Sequence, residues 1–360
     1  MSNTLKPARA IVPGQIVQRE LESRGWTQRD LAEIMNRPTQ TINEIIKGRK
    51  RVTPETAREL AAAFGTSAQF WISLESNYRL HFATQRQKEN EIERRSRLYS
   101  LAPIADLIKY QWIKPGGNLE ELELSVCEFL GINSLAENPQ ISFDLSSSQT
   151  SAPEYISTFS WYKRVEKLAR KKKLPDFKLD CFQAAIPDLL NYSQKEEDVA
   201  KIPTFLNDLG VNFVIVPPLK NTDLDGAAFY FDNNPVVALT LRHDRIDNFW
   251  FTLMHELGHI ASGHQNTYLD NLENLDKTSE ELEASNFARQ WLINEESFNS
   301  FITEQKPKFT GKVITNFALQ QNRHPGIILS RLHHEELVPH RKLRKFLVKV
   351  EPFLSPWIDC

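Results

Sequence analysis

Phe249-Trp250-Phe251-Thr252-Leu253-Met254-His255-Glu256-Leu257-Gly258-His259-Ile260-Ala261 is the stretch on which the reading of this chain turns. Trp250, Met254, Leu257 and Ala261 recur at i, i+4, i+7 and i+11, an apolar stripe that predicts an amphipathic helix over about 244–263. His255 and His259 then share a face roughly opposite the stripe, where two imidazoles can reach one metal ion. Glu256 projects about 100° from His255 and can serve as general base toward a water activated by that metal. Neutral imidazole suits Zn2+, and the same ligand types also accept manganese or iron. Chance alone places a His-Glu-x-x-His pattern in about one chain in a hundred of this length.

A catalytic centre needs a third protein ligand and an open position. The next helical pattern, at about 278–293, carries Glu280, Glu281 and Glu283. Its apolar positions are Ala284, Phe287, Ala288, Trp291 and Leu292, which set Glu280 and Glu281 beside the inward face and Glu283 further round. A carboxylate on a buried face requires a cation. Periodicity does not choose between Glu280 and Glu281.

Upstream of the metal helix, Val211–Val216, Ala227–Phe231 and Val236–Leu241 read as short strands, with a turn at Asp232-Asn233-Asn234-Pro235. From about 98 to 200 the chain reads as mostly helical, with a loop at 138–153. Seven Lys or Arg and one Glu between Lys163 and Lys173 suggest a solvated helix face.

Residues 13–79 read as a run of short helices punctuated by Gly25, Gly48 and Gly65. Thr27, Thr53 and Thr66 are candidate N-caps, the last with Gln69 in capping-box position. The segment 27–35 forms one helix, Asn36-Arg37-Pro38 a turn, and 39–48 a second helix. Leu31, Ala32, Ile34, Ile42 and Ile45 are expected to fix the two helices at an angle. In a helix-turn-helix the second helix enters the major groove, so Thr39, Gln40, Thr41 and Asn43 would meet base edges. Gln28, Lys47 and Arg49 are suited to phosphates. The first 80 residues hold 12 Lys or Arg against 8 Asp or Glu, a balance of +4 in a chain of net charge −2. A basic end on a slightly acidic body suits a local module for double-stranded DNA.

No apolar run approaches the ~18 residues of a membrane helix. The start of the chain lacks the apolar core of a secretory signal, and Cys127, Cys181 and Cys360 offer no disulfide framework, so a cytoplasmic setting is expected.

Two resemblances sharpen these readings. Phe251–His259, Gly263-His264 and Glu281-Leu282-Glu283-Ala284-Ser285-Asn286-Phe287-Ala288 together resemble the ImmA/IrrE family of metallopeptidases. The resemblance implies Glu281 as the third zinc ligand and Glu256 as the catalytic base. Ser285 stands where the family usually carries Asn or Asp, at a position suited to orienting a ligand, and Asn294 replaces a common proline. Arg242, His243, His264, Tyr268 and His324 are candidates to stabilise an oxyanion. The stretch Pro13–Tyr78 resembles the HigA-type antitoxins of the XRE helix-turn-helix class, which implies an operator-binding homodimer.

The expected fold is α+β: residues 1–80 form an all-α helix-turn-helix domain, 81–200 a helical connector, and 201–360 a zincin-like domain with a small sheet and a helical tail. The expected function is a DNA-binding transcriptional regulator with zinc-dependent endopeptidase activity on a specific regulatory protein, in a toxin–antitoxin or stress-response system. The alternative is a HigA-type antitoxin or repressor, with a cognate toxin as partner, whose metal site is structural or sensory.

Overall fold

A computed structural model describes residues 11–83, 86–137, 151–273 and 278–359. The first ten residues, Cys360 and all but the end of the loop expected at 138–153 lie outside the described residues. The chain divides into two compact units, one up to Arg94 and one from Arg95 onward.

The first unit holds α1 (Pro13–Arg24), α2 (Gln28–Ile34), α3 (Thr39–Ile46), α4 (Pro54–Phe64) and α5 (Ala68–Ala83). Thr27 starts α2 with a reciprocal cap: its hydroxyl accepts from the Asp30 amide at 3.2 Å, and the Asp30 carboxylate accepts from the Thr27 amide at 2.7 Å. Thr53 caps α4 ahead of Pro54, and Gly25 and Gly65 close α1 and α4 in the left-handed conformation. At α5 the cap is Ser67, whose hydroxyl accepts from the Phe70 amide; Thr66 instead takes the Trp71 indole N–H at 2.8 Å. Leu31, Ala32, Ile42 and Ile45 are buried as expected, but Ile34 is 50% exposed. Met35, one turn after Leu31, is the residue that faces inward instead.

The second unit is built on a four-stranded sheet of β1 (Asn212–Ile215), β2 (Gly226–Phe231), β3 (Asn234–Leu239) and β4 (Tyr268–Asp270), in the order β1-β3-β2-β4. β1 runs parallel to β3, and β2 is antiparallel to both β3 and β4. The pair Phe231↔Asn234 leaves Asp232-Asn233 as a two-residue hairpin loop, with Asp232 at φ 52°. Strands that read as unbroken apolar runs imply cover on both faces, and alternate residues do divide between two cores. Val214, Ala227, Phe229, Val236, Ala238 and Leu269 pack with the end of α6 (Arg86–Leu101) and with α7 (Ile104–Lys109), α8 (Leu119–Leu130) and α9 (Ala152–Ala169). Phe213, Ile215, Ala228, Val237 and Leu239 pack on the other side with α10 (Leu179–Leu190), α11 (Ile202–Asp208), α12 (Ile246–Ala261), α13 (Ser279–Leu292), α14 (Glu295–Gln305), α15 (Gly311–Gln320), α16 (Pro325–His334) and α17 (Glu351–Leu354).

Among the described residues from Arg95 on, helices of the stretch expected as a connector share a core with the sheet. The basic cluster on α9 is also more engaged than a solvated face. Arg164 pairs bidentately with Asp359 at 2.6 Å, and Lys163 and Arg170 both hold Glu166. Lys172 donates to the Phe213 carbonyl at 2.6 Å, and burial pushes its ammonium down to about 8. Among the described residues no helix is long and apolar enough to cross a membrane.

Candidate metal centre and nucleic-acid interface

α12 buries Trp250, Leu253, Met254 and Leu257 against the core and turns His255, Glu256 and His259 toward β4 and α13, all without solvent exposure. Gly258 allows the close approach of α13, because a Cβ there would stand 3.0 Å from the Ala284 Cα. Thr278 caps α13 by accepting from the Glu281 amide, which starts the helix with Glu281 on its buried side.

The Nε2 atoms of His255 and His259 lie 3.3 Å apart. Glu281 Oε2 stands 3.1 Å from the first and 3.6 Å from the second. Asp270 Oδ2, from the edge strand β4, stands 3.4 and 3.6 Å from the same two nitrogens. The four donor atoms fall within 4.8 Å of one another. The opposite ring nitrogens are held as well: His255 Nδ1 shares a hydrogen bond with Ser285 Oγ at 3.2 Å, and His259 Nδ1 with His264 Nδ1 at 3.0 Å. Tyr268 stacks on the His259 ring at 3.8 Å and donates its hydroxyl to Glu280 at 2.8 Å. With Nδ1 engaged and the rings wedged, Nε2 of both histidines is committed to one point.

Electrostatics at that point are unusual. Burial lowers the affinity of His255 for a proton, but Asp270 and Glu281 more than offset it and bring the imidazole up to about 9. Burial raises the Asp270 carboxyl, yet the two histidines hold it well below the usual range. Glu256 is pushed well above the usual range by burial and then by the charges of Asp270 and Glu281. Among the described residues both Glu256 oxygens and Asp270 Oδ2 are buried without a hydrogen-bond partner. Two imidazole nitrogens and two carboxylates converging on one point, with orphaned oxygens beside them, form a donor set that fits a divalent metal ion. Gly226 on β2 makes the room for Glu256: a Cβ there would lie 2.2 Å from Glu256 Oε1.

In the first unit Thr39, Gln40, Lys47 and Arg49 are exposed, and Gln28, Thr41 and Asn43 are half-buried. All seven lie on α2, on α3 or in the turn that follows α3, and Gln40 donates to Glu44 one turn on at 3.1 Å.

A helix-turn-helix family model matches residues 17–71, and an IrrE N-terminal-like domain of the Peptidase_M78 class matches 208–310. Virulence-associated protein I of Dichelobacter nodosus is 35% identical over 77 residues, 21% of this chain and 71% of that one. The chain belongs to the helix-turn-helix family. Its second unit carries an IrrE-like domain. The uncharacterized HTH-type transcriptional regulator YddM of Escherichia coli (strain K12) is 29% identical over 86 residues, 24% of this chain and 88% of that one. Among solved structures, an addiction module antidote protein of the HigA family from Coxiella burnetii shares 30% identity over 24% of this chain and 94% of its own, at a TM-score of 0.22. The Pseudomonas aeruginosa antitoxin HigA with its higBA promoter shares 31% over 23% and 90%, also at 0.22.

The IrrE-like match spans β1 to α14 and so contains every group of the centre. Of the two carboxylates that periodicity left open, Glu281 is the one at the histidines, while Glu280 receives the Tyr268 hydroxyl; Glu283 is exposed and 3.4 Å from His264 Nε2. Ser285 touches a histidine, as its position suggested. Most of the candidate oxyanion donors are otherwise occupied. His264 and Tyr268 hold His259, Arg242 pairs with Asp225 and His243 lies near Glu273. His324 caps α16 and faces Glu196. Asp270 went unread. Its three-residue strand is too short to show a period, and a lone Asp eleven residues past His259 has no pattern to mark it.

Proposed function

We propose that this chain is a DNA-binding transcriptional regulator whose IrrE-like domain is a zinc-dependent endopeptidase acting on a specific regulatory protein. The observation that carries the peptidase reading is Glu256. It is fully buried, neither oxygen has a hydrogen-bond partner among the described residues, and Gly226 keeps the space it occupies. A purely structural site needs no such group, and an unpaired buried carboxyl is destabilising.

His255, His259 and Glu281 are the residues we assign to hold the ion, with Asp270 as a further donor. A divalent ion bound there supplies Lewis-acid activation of water and of a peptide carbonyl. Glu256 accepts a proton from water on a carboxylate oxygen and returns it to the leaving amine. Ser285 and His264 keep the two imidazoles oriented. Donors this deeply buried suit one selected protein segment over general digestion, and the substrate we infer is a repressor, a cognate toxin or the chain itself.

The first unit supplies the address. Thr39, Gln40, Thr41 and Asn43 would read base edges of an operator, and Gln28, Lys47 and Arg49 would neutralise phosphates. A homodimer on a two-fold operator follows from that mode of binding.

Asp270 favours a second reading. A fourth protein donor gives the closed ligand set of a structural zinc site, where a catalytic site keeps one position for water. The chain would then be a HigA-type repressor whose metal stabilises or senses. Cleavage assays decide, using the zinc-loaded wild type and Glu256→Gln against the chain itself and proteins encoded beside it. The peptidase reading expects a loss of about 10²–10⁴-fold in rate with zinc retained. Absence of cleavage by both proteins, together with tight operator binding, establishes the repressor.

A further inference from the structure

The second unit holds a cavity of about 410 Å³ beside the metal helix. Its volume lies in the range of small-molecule sites. Phe251, one turn before His255, lines it, as does Arg289, two turns after Glu281 on α13. Leu292, Phe298 and Ile327 give it an apolar interior.

Its polar groups are unevenly matched. The buried acids of the wall are already answered: Asp225 is held by Arg242 at 3.0 Å and Asp247 by Arg245 at 2.7 Å. Two nitrogens on α16 are not. Among the described residues Arg331 Nε and His333 Nε2 are buried with no hydrogen-bond partner, although both residues line the cavity. His333 is only 5% exposed. The Arg331 guanidinium is fixed over the Phe298 ring at 5.4 Å and by Glu335 at 2.9 Å, so Nε is held in place. Arg289 reaches Asn286 at 3.5 Å. A guanidinium N–H is always a donor, and leaving it buried and unpaired is costly. Burial and then the neighbouring His340 hold the His333 imidazole below its ordinary range, which favours the neutral ring, whose unprotonated nitrogen can take a hydroxyl hydrogen.

We propose that this cavity binds a small amphipathic organic acid, with its anionic group at Arg331 and Arg289 and its apolar body among Phe251, Leu292, Phe298 and Ile327. Carboxylates and phosphate monoesters both offer anionic acceptor oxygens to the guanidinium, and a singly protonated phosphate monoester adds a hydroxyl for His333. The site stands whether or not the metal centre cleaves peptides. Because α12 and α13 form both sites, an occupant is placed to act on the centre.

Calorimetric titration of the full-length protein tests the site. The probes are 4-phenylbutyrate and phenyl phosphate, with 4-phenyl-1-butanol as the uncharged match and inorganic phosphate as the head group alone. We expect at least one of the two acids to bind saturably and more tightly than the alcohol or inorganic phosphate. Arg331→Met should weaken it about ten- to a hundred-fold. Ser330→Trp fills the cavity from its wall without removing a contact named above, and should abolish binding in a protein that still melts cooperatively. Failure of both acids to bind the wild type overturns the proposal. So do equal affinity for the alcohol and binding untouched by both substitutions. Which acid binds tells a carboxylate ligand from a phosphate ester.

Discussion

The surface of α3 and the centre between α12 and α13 solve opposite problems. On α3 the residues proposed to meet DNA are polar: Thr39 and Gln40 are exposed, and Ile42 and Ile45 are buried behind them. At the centre the working residues are the core. His255, Glu256, His259, Asp270 and Glu281 are all buried, where apolar side chains would pack at no electrostatic cost. A recognition surface is built from residues folding does not need, whereas a metal centre is built from residues folding would reject. Substitutions should therefore separate the two regions by whether stability moves with function.

The sharpest separation is expected at His259. His259→Ala leaves Asp270 and Glu281 facing one remaining imidazole, and loss of one partner from a buried charged group costs about 3–5 kcal/mol. Thermal unfolding of the metal-free protein should show a correspondingly lower midpoint, and zinc binding should be lost. An unchanged midpoint would mean that the four groups do not converge as described. Ser285→Ala tests the support of a ligand alone. It should weaken zinc about ten- to a hundred-fold in a competitive chelator titration while the fold survives; unaltered affinity would remove Ser285 from the centre.

On α3 the pattern should invert. Gln40→Ala should cost about 1–3 kcal/mol in operator affinity and leave the melting temperature in place. Lys47→Ala should lower the slope of affinity against salt by about one. Equal losses on every DNA sequence for Gln40→Ala would place it on phosphate, not on a base. The smallest effect belongs to Ile34. Since it is half exposed, Ile34→Asn should change stability by no more than about 0.5 kcal/mol, where a core isoleucine would cost several.

The same contrast governs what the sequence disclosed. Helix-turn-helix packing declared itself because caps and apolar spacing are local: Thr27, Thr53, Leu31 and Ile45 all act within a few residues of their partners. Ile34 failed because a seven-residue helix offers too few turns for its phase to separate Ile34 from Met35. At the centre, the i and i+4 histidines and their Glu are local too, and were legible. Glu281 needed family resemblance, because Glu280 and Glu281 differ only in which of two adjacent positions meets α12. Asp270 and Gly226 were invisible, since each gains its role from β4 pairing with β2 and from α12 lying near it. The helices from Arg95 onward were seen as helices, but their partner is a sheet whose strands lie far along the chain.

The central claim is that Glu256 stands beside the metal site and not in it. Metal analysis of wild type, Glu281→Gln and Glu256→Gln, each purified and reloaded with zinc side by side, tests this most directly. One zinc per chain is expected in the wild type and in Glu256→Gln, with a clear loss in Glu281→Gln. Zinc retained fully by Glu281→Gln, or lost from Glu256→Gln, would contradict it.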